Sequence, residues 1–412
     1  MAYEDSPYDR ELFSEWSRFC DRLKQAGQRV FKDANPATAL NRVDGFRYLT
    51  QNLSQAFDLA LESRNTQYPL LHAFCSPTRK LGSDNADCVY LQAWIDGESV
   101  YRLSGKKGSA RMWNATVQGP RSATAYGKPG SRILHEPFGD VPEANIFGDD
   151  LVTSWDGSFE LYIGGERQGQ NWLPTTKGTR KLFLRQYFDR WEEEAAEYRI
   201  ERLGLAEPRP MPTPKEMTQA MKWAGDFVYD VVDYWPEWTW SSGQYADPKR
   251  PNQLHSPANA GEIASDKRRG RVAAGMWWQL GEDEALMLEF DDPGTFWMIT
   301  SEGVFGNSMD FLYRPVSYTP SRTAVDDDGK IRFVLSAKDP GYWNWIDNQG
   351  YAAGELSFRN VMATSLPAFQ TKVVKLGDVP KLMHASSRPI TEEQRARELR
   401  RRFRSILNRY KI

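Results

Sequence analysis

Proline occupies every second position from Pro208 to Pro214. Each ring fixes φ and removes a backbone donor, so neither a helix interior nor a central strand can run through this stretch. Alternating prolines favour an extended, semi-rigid connector. Residues 204–215 are therefore read as a boundary, and the chain must build its cores on either side of it. A length of 412 residues fits two or three domains, or one large composite body.

Before the connector, from Pro69 to Leu203, short β-favouring runs alternate with Gly, Pro, Asn and Asp. Val89–Ile95, Tyr101–Ser104, Phe159–Ile163 and Lys181–Phe188 read as strands, and Asp156-Gly157 as a hairpin turn. Trp191–Glu197, acidic, reads as a helix. After the connector strands return between Val272 and Phe358, with Gly275–Trp278 and Phe296–Ile299 as centres. Asp328-Gly329 before Ile331–Leu335 is a second hairpin signal. Strands at this spacing predict antiparallel sandwiches or jelly rolls.

Helices frame these stretches. Ser6-Pro7 and Asn35-Pro36 are start signals. Leu12, Phe13, Trp16, Phe19, Cys20 and Leu23 share one helical face, as do Leu40, Val43, Leu49, Leu53, Phe57 and Leu61. Gly45 marks a tight packing point or a bend in the second stripe. Thr213–Glu216 and Thr391–Gln394 have the spacing of capping boxes. The expected fold is α+β: two mainly antiparallel β-sandwich or jelly-roll-like domains with N-terminal, central and C-terminal helices. The boundaries are 1–65 for the N-terminal helices, 66–203 for the first sandwich and 204–215 for the linker. A helix and the second sandwich fill 216–390, and a basic amphipathic helix fills 391–412.

Charge excludes some functions. Lys and Arg total 53 and Asp and Glu 55, so no dominant positive field exists for broad nucleic-acid binding. The arginines crowding 395–409 read as the solvated face of a docked helix. Three cysteines form no disulfide framework. No signal peptide or membrane span is visible, so a cytoplasmic protein is expected. None of the four histidines has zinc-site spacing, and no nucleophile elbow, Walker loop or dinucleotide fingerprint occurs, so no metal and no cofactor are expected.

Tryptophan is abundant, at 15 residues, and two polar-aromatic segments stand out: Asn171–Pro174 and Asp339–Asp347. With Gly45–Leu49, Asp84–Tyr90 and Leu184–Phe188, they resemble segments of a bacterial family known only as a domain of unknown function, number twelve-fourteen. The likeness runs in order along most of the chain. It implies a mostly β-sandwich fold with added helices and, its members being largely uncharacterised, transfers no catalytic residue. Tyr342-Trp343 stand where smaller residues are usual in that family, which implies a narrowed neighbouring pocket.

The residues themselves nominate a site. Asp347, flanked by Asn344 and Trp345, follows an Asp-Pro-Gly turn, and a tryptophan wall favours a proton donor there. Arg185 and Tyr187 project to one face of a strand, a guanidinium and a phenol that suit an anion clamp or an inter-sheet salt bridge. Asp84 and Asp87 flank Asn85 before a strand, a group that suits a hard cation, a general acid or a turn. Trp235–Trp240 is a stacking platform or a packed helix end.

The expectation is a cofactor-independent intracellular enzyme of lyase, isomerase or hydrolase type, acting on a hydrophobic or aromatic small molecule in an aromatic-lined cleft between the sheet domains or at a sandwich mouth. Asp347, Tyr187, Asp84 and Asp87 are its candidate catalytic groups. Arg185, Asn344, Trp345, Trp172 and Asn171 are its candidate binding groups. No nucleic-acid or membrane partner is expected, and a homo-oligomer stays open. The alternatives are a sugar- or ring-binding module and a structural protein.

Overall fold

The computed structural model of the chain describes residues 6–33, 35–120, 140–234, 236, 247–256, 271–361 and 363–411. The Trp235–Trp240 cluster lies outside the described residues, Pro236 apart.

Helix α1 spans Pro7–Arg29 and starts at the Ser6-Pro7 signal. Helix α2 spans Ala39–Phe57 and is capped by Thr38, whose hydroxyl accepts from Asn41 N–H. The expected start at Asn35-Pro36 is displaced because the Asn35 amide donates instead to the carbonyls of Arg29 and Val30, at the end of α1. Helix α3 spans Pro214–Asp233 behind the full Thr213/Glu216 capping box. Arg22 of α1 meets Asp226 of α3 at 3.0 Å, and apolar side chains of α1, α2 and α3 share one core. The terminal helix α4, Glu392–Tyr410, carries the Thr391/Gln394 box.

The strands form four sheets. The first runs β1 (His72–Cys75), β2 (Cys88–Trp94), β8 (Lys181–Tyr187), β4 (Met112–Pro120), β5 (Asp140–Phe147). The second runs β7 (Trp172–Leu173), β6 (Ser158–Ile163), β3 (Tyr101–Lys106), β9 (Glu197–Arg202). In the third, the order is β10 (Arg271–Gln279), β17 (Ala353–Val361), β12 (Phe296–Gly303), β13 (Asn307–Ser308), with β14 (Ser317–Tyr318) also on β12. The fourth runs β16 (Trp345–Asp347), β15 (Lys330–Ser336), β11 (Glu284–Asp291), β18 (Gln370–Lys375). Pairing is antiparallel except β6 with β7 and β15 with β16. The chain is thus α+β with two β-rich parts.

Strand alternation explains the layering. Ala115, Val117, Leu182 and Leu184 of the first sheet face Leu103, Leu161 and Ile163 of the second in one core. Met276, Trp297, Ile299 and Phe358 of the third face Leu288, Phe290 and Phe333 of the fourth in another. The opposite faces of the first and third sheets look at each other. Cys88 and Tyr187 touch Phe296, Met298 and Val361 across that gap. The helical core reaches into it through Phe74, Phe183, Trp277 and Phe305.

Three local expectations are corrected. Asp156-Gly157 and Asp328-Gly329 do turn the chain, with glycine φ of 81° and 79°, but neither joins neighbouring strands of one sheet. Strands β5 and β6 lie in different sheets, as do β14 and β15, so these turns cross between layers. Trp191–Glu197 is a loop leading into β9. Its backbone and acids are taken up elsewhere: Glu193 accepts from Asp189 N–H at 2.7 Å, and Ala196 N–H donates to Gln186 Oε1 at 2.6 Å.

Candidate functional site

The gap between the first and third sheets holds a cavity of about 270 Å³. In the third sheet Glu302 stands opposite Glu355, and Met298 opposite Arg359, so strand alternation sends the two carboxylates and the guanidinium to one face. On β10 the positions beside Arg359 and Ser357 are Ala273 and Gly275, whose small size leaves the space open. In the first sheet Arg185 lies between Tyr90 and Asn114. Phe74, Tyr90 and Phe183 form an aromatic wall, with ring centroids 5.3–6.2 Å apart.

A tight loop closes one side. Gly82 and Ser83 adopt left-handed φ of 62° and 54°. That conformation lets Ser83 N–H donate to Gly306 O and Ser83 O accept from Arg359 Nη2, both at 2.7 Å. Asp84 follows and is anchored to β13: its carboxylate accepts from Ser308 N–H at 2.9 Å and from Ser308 Oγ at 2.6 Å. Ser308 Oγ in turn accepts from Lys80 Nζ at 2.9 Å. Burial lowers the Lys80 ammonium to about 8, against the opposing pull of Asp84 and Asp310.

Charge in the cavity is unevenly paired. Glu302 is 1% exposed, and burial raises its carboxyl above the ordinary range, partly countered by Arg359 at 3.6 Å and by the Ser357 hydroxyl at 2.6 Å. Burial also raises the phenol of Tyr90 and the thiol of Cys75 well above their ordinary values, so both keep their protons. Arg185 differs. Its guanidinium carbon sits 4.1 Å from the Phe183 ring centroid, and no hydrogen bond or ion pair joins it to any described residue.

Of the residues nominated from sequence, the structure brings Asp84 and Arg185 to this cavity. Tyr187 shares the face of Arg185 but packs into the apolar contact that closes the gap. Asp87 meets Arg322 at 2.6 Å and Arg409 at 3.3 Å. Asp347, 2% exposed, lies in the fourth sheet and pairs with Arg314 at 2.7 Å, outside the cavity that Arg185 lines. Asn344 staples Ala324 N–H, Ala324 O and Arg332 O. The indoles of Trp345 and Trp172 donate to the carbonyls of Ser336 and Gly164. Asn171 ties Val152 to Glu160. These five polar-aromatic positions end in bonds to neighbouring strands and loops.

The sequence reading passed over Glu302, Glu355, Arg359 and Tyr90. A signal existed in Glu355-Leu-Ser357-Phe-Arg359: polar residues at period two in a strand whose other face is core. It reads equally as a solvent face, and only the apposed sheet makes it interior. Among the described residues, Asp326, Asp328 and His384 are the one group at metal-ligand spacing. Arg332 bridges both carboxylates, at 2.6 and 2.7 Å, so a cation already occupies that corner.

Comparison with known proteins agrees with the family likeness. Residues 91–189 match the family described as "Protein of unknown function (DUF1214)". The solved structure of an uncharacterised protein from Burkholderia cenocepacia superposes with a TM-score of 0.77 at 25% identity, over 89% of this chain and 99% of that one. A protein from Vibrio parahaemolyticus is a looser likeness, with a TM-score of 0.43 at 13% identity over 86% of this chain and 100% of that one. No curated protein matches the chain.

Proposed function

We propose that the inter-sheet cavity binds a small organic acid with an apolar or aromatic body and performs acid–base chemistry on it. The observation that carries this reading is the guanidinium of Arg185: it lines the cavity and makes no ion pair or hydrogen bond to any described residue. A charge held in an interior cavity without a partner is costly, and an anionic ligand removes that cost. Phe74, Tyr90 and Phe183 offer a flat apolar wall to the body of such a ligand. Glu302, raised by burial, is a proton donor facing the same space, and Tyr90 is a protonated phenol beside it. Perturbed acids beside an unpaired cation in one pocket favour an enzyme over a passive binder. Two facing sheet pairs fit β-sandwiches, and three free cysteines fit a reducing cytoplasm.

The test is a panel of aromatic and aliphatic carboxylates screened by thermal shift and calorimetry. Responding acids should lose about 2–5 kcal/mol of binding in Arg185→Met, at least roughly 30-fold. Glu302→Gln should keep binding and lose turnover. A carboxylate response of full strength in Arg185→Met would overturn the assignment.

A further inference from the structure

Helix α4 presents arginines in two directions. Arg395, Arg402 and Arg409 point inward and are buried, while Arg397, Arg400, Arg401 and Arg404 are exposed along one outer face. This outer face borders a second recess of about 300 Å³, which Trp191, Glu192, Ser405 and Asn408 also line. Arg401 is paired with Glu192 and approaches Glu398 at 3.6 Å. Arg397, Arg400 and Arg404 have no carboxylate partner among the described residues.

Like charges three, four and seven residues apart repel along a helix. The macrodipole rewards cations only within the last turn, which leaves Arg397 and Arg400 unexplained. Nor does the interior cancel the field. Arg322, Arg402 and Arg409 crowd around the Trp191 ring at 4.1–5.4 Å, with Asp87 as the carboxylate between them. A second, independent feature points the same way. Ser405, one of the lining residues, is 5% exposed, and its hydroxyl has no hydrogen-bond partner among the described residues. A buried hydroxyl without a partner costs free energy that an anionic oxygen would recover.

We propose that this recess binds a polyphosphate group. Arg397 and Arg404 are about 10 Å apart along the helix axis at 1.5 Å per residue, so a single phosphate would have to draw mutually repelling guanidiniums together. A linear di- or triphosphate spans that distance. Its oxygens would accept from the free guanidiniums and from Ser405 Oγ, the strong charge-assisted geometry.

The experiment is calorimetric titration of the full chain with orthophosphate, inorganic tripolyphosphate and ATP, at low and moderate salt. Tripolyphosphate should bind at least 10-fold more tightly than orthophosphate, and more weakly as salt rises. Arg400→Gln with Arg404→Gln should weaken it at least 10-fold, and Ser405→Ala by several-fold, both with unchanged circular dichroism. ATP equal to tripolyphosphate identifies the phosphate chain as the ligand, and tighter ATP identifies a nucleotide; both uphold the site. The proposal fails if orthophosphate binds as well as tripolyphosphate, or if the double variant keeps its affinity. Arg185→Met should leave this binding unchanged, so the two sites succeed or fail separately.

Discussion

Lys80 is a buried ammonium held by one serine hydroxyl and two nearby acids, and burial outweighs them. Its ammonium titrates at about 8, below the ordinary 10.5. Between these values the unfolded chain holds a proton that the folded chain has released. The contribution of Lys80 to stability therefore rises with pH across that window, and is lost again as pH falls toward 8. A depression of this size is worth on the order of 3 kcal/mol. Lys181, lowered by burial to about 8 as well, adds a similar rise. Lys80→Met should lower the slope of unfolding free energy between pH 8 and 10.5 by about 1.4 kcal/mol per pH unit, measured by chemical denaturation, on a background to which buried thiols and phenols such as Cys75 and Tyr90 contribute with the opposite sign. An unchanged slope would show that Lys80 titrates normally. At this scale the sequence was legible only in part. Arg185 could be nominated because alternation with Tyr187 fixes its face, and that requires no knowledge of the fold. Glu302 meets Glu355 and Arg359 only through the β12–β17 register, between segments more than fifty residues apart in sequence. Asp347 misled because an acid between aromatic residues has the same pattern whether it faces a ligand or Arg314.

Helix α2 passes through Gly45 without a break, which selects the packing reading over the bend. A Cβ there would lie 2.6 Å from Phe305 Cζ and 2.6 Å from Val30 Cγ1, both in the helical core. Alanine gains about 1 kcal/mol of helix propensity over glycine. Overpacking costs about 1–3 kcal/mol, and two simultaneous clashes place Gly45→Ala toward the upper end. The variant should be destabilised by about 1–2 kcal/mol in chemical unfolding; stabilisation would mean that Phe305 moves aside freely. Element type was readable where physics is local. The capping boxes at Thr213 and Thr391 and the strand centres at Trp277 and Phe296 needed only neighbours in sequence. The Asp-Gly turns were placed correctly but misread as hairpins, because a turn's residues fix its backbone and say nothing about which sheet the next strand joins. Trp191–Glu197 failed as a helix because its polar groups bond to β8 and the loop before it, a tertiary override of local preference.

At the scale of the whole molecule, one carboxylate joins parts that the proline connector separates. Asp87 precedes β2 in the first sheet, while Arg322 follows β14 and Arg409 lies on α4. Burial pushes the Asp87 carboxyl up, but Arg322, Arg409 and Arg402 outweigh it and hold it below the ordinary carboxylate range. Its contribution is thus present above about pH 4 and is lost as acid protonates it. Burial, aided by mutual repulsion, lowers Arg402 and Arg409 to about 10, so the cluster carries more positive charge than it neutralises. Loss of the carboxylate and loss of one cation are therefore unequal. Asp87→Asn strands buried guanidiniums and should cost about 3–5 kcal/mol, whereas Arg409→Met removes an excess charge and should cost far less. The Asp87→Asn/Arg409→Met pair should be more stable than Asp87→Asn alone, a coupling read from a double-mutant cycle. Hydrogen exchange should locate the damage. In Asp87→Asn the amides of α4 should open well before those of β11 and β15, since Tyr410 OH and Lys411, bonded to Cys88 O and Glu197, lose their anchor as Arg409 is released. Equal costs for both single variants would mean that the three guanidiniums share their charge with solvent, and that the union of the two β-rich parts rests on the apolar contact around Tyr187 and Met298 and on the bonds of Ser83 and Asp84 to Arg359 and Ser308.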